Sequence, residues 1–319
     1  MPVSADSLVL ATLAVGFAWS MGAHYTGACM GMPYATGAVG VRPALATMAV
    51  FVLVGASLLS HGVLHTVGER LLGAGMGLRA GSAMLGAAFA LTALYNRLKL
   101  PTSTIQILVS AMVGAGLAQH IGVKWATLAR LVAVWAVAPF AALALGFVFT
   151  RILDRVLLAG GSRQTARRLL VLAGCFASLT MGANDVANAT GVLVATRLSG
   201  CAMAGVLGGC GLALGVITWG RGLLERMAFE IVRLDLQMAA AVQFVQALVV
   251  LSAVLGFGAF TSMNQALVGA MAGAGLARGV ETVRWSTLRA ILEGWVAGPL
   301  SGLVLAYLLT AALRVVGWV

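Results

Sequence analysis

The chain has 319 residues, 61% of them hydrophobic and 9% charged, and its mean hydropathy is +1.01. These values lie far outside the range of a soluble globular domain and place it among integral membrane proteins. The formal charge of +11 does not argue for nucleic acid, because most basic residues stand between apolar runs, as in cytoplasmic loops of membrane proteins, with no aromatic stacking pattern beside them.

Apolar runs near the roughly 20 residues that a spanning helix needs fall at about 7–22, 43–60, 80–96, 126–150, 168–183, 201–219, 236–257 and 287–313. Their period is helical, not the ten-residue alternation of an outer-membrane barrel. The first run has no basic leading region, carries Asp6 and flows into a polar segment, so it reads as a retained helix rather than a signal peptide. That segment is Met21-Gly-Ala-His-Tyr-Thr-Gly-Ala-Cys-Met-Gly31. Polar, glycine-rich backbone at membrane depth predicts a broken helix, because its N–H and C=O groups need protein or cavity partners.

Further along, Leu100-Pro-Thr-Ser-Thr-Ile-Gln106 precedes 107–118, a stretch too short to cross. It predicts a re-entrant half-helix with Pro101 near the first turn and Thr102 or Ser103 as cap. Arg151, Arg155, Arg163, Arg167 and Arg168 then form the densest basic cluster. It places a cytoplasmic linker at 156–164, between a first transmembrane repeat at 1–155 and a second at 165–319. In the second half, Met181-Gly-Ala-Asn-Asp-Val-Ala-Asn-Ala-Thr-Gly191 repeats the frame of 21–31, and Ala259-Phe-Thr-Ser-Met-Asn-Gln265 that of 100–106. The offsets are 182 − 22 = 160 for Gly22 and Gly182 and 265 − 106 = 159 for Gln106 and Gln265. Trp125, Trp135 and Pro139 recur 160 later at Trp285, Trp295 and Pro299, so the chain is a duplication. Such halves commonly build transporters, with the site at the midplane where they meet.

The candidate site follows from polar residues in apolar surroundings. Asp185 is an intramembrane carboxylate, an expensive residue that carries an ion or proton or caps a broken helix end. Asn184 and Asn188 share its helical face, for binding or for interhelical bonds. His24 and Tyr25 stand where the other half has Asn184 and Asp185; His24 is either a proton carrier or a neutral packed ring. Ser103, Thr104, Gln106, Ser262, Asn264 and Gln265 supply neutral donors beside two helix N-termini, an arrangement suited to a small oxyanion. Glu293 is a proton relay or, the favoured reading, a partner of Arg289, and Glu69 with Arg70 and Glu225 with Arg226 read as loop ion pairs. Cys29, Cys175, Cys201 and Cys210 read as small buried hydrophobes, the tryptophans as interfacial anchors. No phosphate loop, dinucleotide fingerprint, metal-binding His pair or nucleophile elbow occurs, so no cofactor, metal or enzyme activity is expected. A channel and a non-transporting scaffold or membrane enzyme are the readings from other classes.

Gly182-Ala-Asn-Asp-Val-Ala-Asn-Ala189 resembles the signature of the inorganic phosphate transporter (PiT) family, and Leu100-Pro-Thr-Ser-Thr-Ile-Gln106 is similar to its Pro-Val-Ser-Thr-Thr-His element. The resemblance implies an all-α integral membrane protein of two inverted repeats, with broken helices and re-entrant half-helices. It implies a secondary transporter, often a homodimer, that binds a tetrahedral oxyanion between the serine- and threonine-rich elements. In phosphate members both halves carry Asn-Asp, the two aspartates holding coupling cations. Here one half has His24-Tyr25, Gln106 and Gln265 stand at the His positions, and the second element has Phe260, Met263 and Asn264 in place of its Pro and Thr residues. These departures resemble the family's sulfate permease branch, which has a degenerate first signature and is typically proton-driven. The expected function is therefore proton-coupled import of sulfate across the plasma (inner) membrane, with Na+ as the alternative coupling ion. Phosphate symport is the alternative function and thiosulfate a further candidate oxyanion.

Overall fold

The computed structural model describes residues 4–72, 76–97, 102–158, 162–230, 235–279 and 285–318. The helices are α1 (Ala5–His24), α2 (Thr26–Ala35), α3 (Val41–Leu58), α4 (His61–His65), α5 (Leu78–Arg97), α6 (Thr104–Ala118), α7 (Trp125–Leu158), α8 (Arg163–Ala195), α9 (Cys201–Glu230), α10 (Leu236–Phe257), α11 (Met263–Arg278) and α12 (Trp285–Val315), with a π-helical turn at Thr66–Arg70. Eight of the described segments are long and apolar enough to cross a bilayer. They coincide with the eight runs expected from sequence. Elements repeat in order, α1–α2 with α8, α3 with α9, α5 with α10, α6 with α11 and α7 with α12.

Small residues decide how the halves join. A Cβ on Gly22 of α1 would strike the backbone of Leu212 on α9, and one on Gly182 of α8 would strike Val52 on α3. The same holds for Gly55 against Leu179 and Gly215 against Trp19, and for Gly114 against Leu303 and Gly273 against Leu143. Members of each pair stand 159 or 160 residues apart on both sides of the contact (182 − 22 and 212 − 52 are both 160). The crossings α1 with α9, α3 with α8, α6 with α12 and α7 with α11 thus obey one pseudo-two-fold relation. In lipid, where apolar side chains gain little by leaving their surroundings, close backbone approach at glycine is a main source of helix association.

Two helical hairpins enter from opposite ends. At the α5–α6 base, Arg79 at the start of α5 donates to Trp318 O beyond α12, and Arg314 of α12 donates to Ala118 O at the end of α6. Lys124 N, just before α7, donates to Leu71 O at the same end. At the α10–α11 base, Arg278 ends α11 and bonds Asp235, the cap of α10, and Asp154 near the end of α7, both at 2.7 Å. The two bases therefore lie at opposite ends of α7. Length alone would make α5 and α10 crossings; the contacts at their ends show that each begins where its hairpin partner finishes. The α10 end is fixed by Gly258, whose left-handed φ of 56° lets its N–H and that of Ala259 close the last turn on Val254 O and Ala253 O.

Three expectations change. The signature of the second half is not broken: α8 is continuous through 181–191, and only the first half is interrupted, at Tyr25, with i→i−4 bonds on both sides. The basic linker is mostly helix, since α7 reaches Leu158 and α8 starts at Arg163; the residues between lie outside the description. Glu69 pairs with His65 and Glu225 with Arg221, each one helical turn back, instead of with the adjacent arginines. The side chain of Arg289 lies outside the description, as does Pro101. Cys29 and Cys175 are buried as expected, Cys201 half-buried and Cys210 exposed.

The glycine crossings are testable. Gly182→Ala and Gly22→Ala are each expected to cost about 1–3 kcal/mol through overpacking. Gly16→Ala on α1, with nothing within 4 Å of its new methyl, should be neutral or slightly stabilising. Thermal unfolding in detergent checks this, and indistinguishable melting of G182A and G16A would contradict the packing account.

Candidate functional site

The hairpin tips meet inside the protein. Ser103 caps α6 by accepting from Gln106 N at 3.4 Å, and Ser262 caps α11 by accepting from Gln265 N at 3.3 Å. One turn in, the two glutamine amides pair reciprocally, Gln106 Nε2 to Gln265 Oε1 at 3.4 Å and Gln265 Nε2 to Gln106 Oε1 at 3.3 Å. Thr102, Ser103, Thr104, Thr261 and Ser262 are all buried. Two helix N-termini, each bearing the positive end of its dipole and uncapped first-turn N–H groups, therefore converge from opposite directions.

Each signature segment holds the tip of its own half. Asn184 clamps the second tip with two bonds, Nδ2 donating to Thr261 O at 2.8 Å and Oδ1 accepting from Thr261 N at 2.9 Å. In the first half the link is Tyr25 OH to Thr104 Oγ1, 2.9 Å. Asp185 is wholly buried; its oxygens accept from Asn184 Nδ2 at 3.1 Å and Asn188 Nδ2 at 3.2 Å, and it lies beside the Tyr25 hydroxyl. No basic side chain pairs with it among the described residues. A lone buried carboxylate is costly in a membrane, and the hydrogen bonds that Asp185 accepts come from neutral donors.

Ser103, Thr104, Gln106, Ser262, Gln265, Asn184, Asp185, Asn188 and Tyr25 come together. Asn264 is half-buried on the first turn of α11 and makes no hydrogen bond to them. His24 ends α1, edge-on to the Tyr25 ring at 5.2 Å, and makes no hydrogen bond to another described residue. Sequence reasoning passed over Thr261, whose backbone is the clamp for Asn184, and Trp135, which donates to Phe260 O at 2.9 Å and braces the same tip. It also passed over Gln243 and Gln246 on α10, on the Asp235 side of the cluster. Two amides spaced i, i+3 in an otherwise apolar helix were the available signal. Asn188 Oδ1, Thr261 Oγ1 and both polar atoms of Gln246 are buried without a protein partner. Donors and acceptors are therefore left over where the tips meet and along α10, as a polar guest requires. Among the described residues, no three His, Cys, Asp or Glu side chains gather as a metal site.

The sulfate permease CysP of Bacillus subtilis is 28% identical over 302 residues, covering 92% of this chain and 84% of that protein. The chloroplastic inorganic phosphate transporter 2-1 of Arabidopsis thaliana is 35% identical over 153 residues, covering 44% of this chain and 26% of that one. The fold matches a solved sodium-dependent phosphate transporter with a TM-score of 0.87 at 22% identity, over 98% of this chain and 100% of that one. The model of the phosphate transporter family matches residues 21–306. A multi-pass membrane protein of two hairpin-bearing halves, matched along nearly its whole length, this chain belongs to the phosphate transporter family.

Proposed function

We propose that the chain imports inorganic sulfate across the plasma membrane by secondary active transport, with protons as coupling ion and Asp185 as their carrier. The observation that carries the reading is the asymmetry of the centre. Two capped helix N-termini supply donors from both halves, while the carboxylate appears only once, at Asp185, its place in the other half being taken by Tyr25 bonded to Thr104. Sulfate keeps no proton near neutral pH, so it asks for donors only. Protonated phosphate also donates and is better served by a further acceptor. The sulfate permease similarity over 92% of the chain supports the same side. The orientation follows from the charge bias: Arg151, Arg155, Arg163, Arg167 and Arg168 stand at the end of α7 that holds the α10–α11 base, which we place in the cytoplasm. Phosphate symport driven by sodium is the second reading, favoured by the phosphate transporters among its relatives.

Purified protein in liposomes, offered labelled sulfate or phosphate under an imposed proton or sodium gradient, separates the two. Sulfate accumulation driven by the proton gradient alone is expected. Phosphate accumulation that requires sodium would replace this reading with the second.

Asp185→Asn should lower concentrative sulfate uptake at least tenfold, whatever exchange remains; accumulation at the wild-type level would remove Asp185 from coupling. His24→Gln should keep the full pH dependence of uptake, since His24 has no bonded link to the cluster. A flattened pH profile would make it the carrier instead.

Asn184→Ala severs both bonds to Thr261. A loss of about 1–3 kcal/mol is expected, read as a lowered melting temperature of the purified protein.

A further inference from the structure

The described cavities include one of about 570 Å³ at the opposite end of the molecule from the basic cluster, lined among others by His61, Gly62, Arg70, Arg130 and Gly258. The charged side chains that line it are both arginines. Arg70 ends the π-helical turn, Arg130 stands near the start of α7, and neither makes an ion pair among the described residues. The nearby carboxylate, Glu69, is engaged with His65 at 2.9 Å and does not line the cavity. The floor is the back of the second hairpin tip. Gly258 touches Gly62 closely, and Gly258 O accepts from Thr66 Oγ1 at 2.7 Å. Three residues beyond Gly258, Thr261 is bonded to Asn184, and Ser262 caps α11.

Two guanidinium groups without ion-pair partners in one concavity raise the local anion concentration, since low-dielectric walls focus their field. Guanidinium is also the side chain best fitted to an oxyanion's paired oxygens. We infer that this cavity is an outer docking site for a tetrahedral inorganic oxyanion, which it gathers against the hairpin tip before the closed central site admits it. The inference rests on the transport reading for its purpose but not for its chemistry. The orientation assigned above puts the cavity at the non-cytoplasmic mouth, the side from which an importer takes its substrate.

The first test uses the purified full-length protein and an arginine reagent, phenylglyoxal, with modification followed residue by residue by mass spectrometry. Sulfate or phosphate is expected to slow modification of Arg70 and Arg130 at least threefold relative to chloride at matched ionic strength, and to leave Arg155 and Arg163 unchanged. Equal rates at Arg70 and Arg130 in all three salts would overturn the inference. The protection should persist in Asp185→Asn, so a protein that transports neither anion yet shows protection would refute the transport reading and spare the docking site. In liposomes, the Arg70→Gln/Arg130→Gln pair should raise the half-saturating anion concentration threefold to tenfold with the maximal rate retained, and weaken its dependence on ionic strength. An unchanged half-saturation and salt dependence would reduce the cavity to a surface feature.

Discussion

A backbone that turns around inside a membrane has to find partners for the polar groups it uncovers, and that requirement organises this protein. Each hairpin reverses at its tip and exposes the first N–H groups of a helix, α6 in one half and α11 in the other. Lipid cannot solvate them. The protein meets part of the demand with Ser103, Ser262 and Asn184, which accept from Gln106 N, Gln265 N and Thr261 N, while Tyr25 holds the first tip through the Thr104 hydroxyl. Buried donors at such tips are what an oxyanion needs, because its own lone pairs lose water on entering. Site and fold are thus one solution: the turn that makes the hairpins re-entrant also sets polar groups at the candidate site.

The rest of the architecture keeps two such turns in register. The tips meet only because the halves cross closely, and they cross closely because glycines stand at Gly22, Gly55, Gly182 and Gly215, where a methyl group would meet the facing backbone. The bases are held apart by α7, one near its start through Leu71 and Lys124, the other near its end through Asp154 and Arg278. Arg314 and Asp154 occupy equivalent places 160 residues apart, and their partners Ala118 and Arg278 are the last residues of α6 and α11. One half clasps its hairpin through a backbone carbonyl, the other through an ion pair. The symmetry is therefore one of geometry and not of chemistry.

That distinction explains what was legible in the sequence. Duplication was readable because Gly22 and Gly182, Gln106 and Gln265, Trp135 and Trp295 keep their spacing, and spacing is what packing constrains. The half-helices were readable from the shortness of 107–118 and the capping serines. The continuity of α8 was not, because a polar, glycine-rich stretch carries the same local signal whether its backbone breaks or stays helical. In lipid Gly182 is selected by contact with Val52, and Asn184 spends its amide on Thr261 while its own backbone stays helical. The return of α5 and α10 was likewise hidden. Both are long enough to cross, and only long-range contacts such as Arg79 to Trp318 reveal which end they share with their partner helices.

The single carboxylate has a consequence for how the centre is balanced. Two dipole ends of like sign face each other, and bringing them together is unfavourable unless negative charge lies between or beside them. Among the described residues at the centre, Asp185 is the carboxylate that supplies such charge when ionised, and two carboxamides hold it on the side of the second half. Across from it Tyr25 offers a hydroxyl to Thr104 and no charge. A second carboxylate would have neutralised the first dipole end and competed with any anion for its donors. With a phenol there, that demand is left for the guest to satisfy. The substitution that makes the first signature hard to recognise in sequence is, under the sulfate reading proposed above, the one that favours entry of a fully ionised anion.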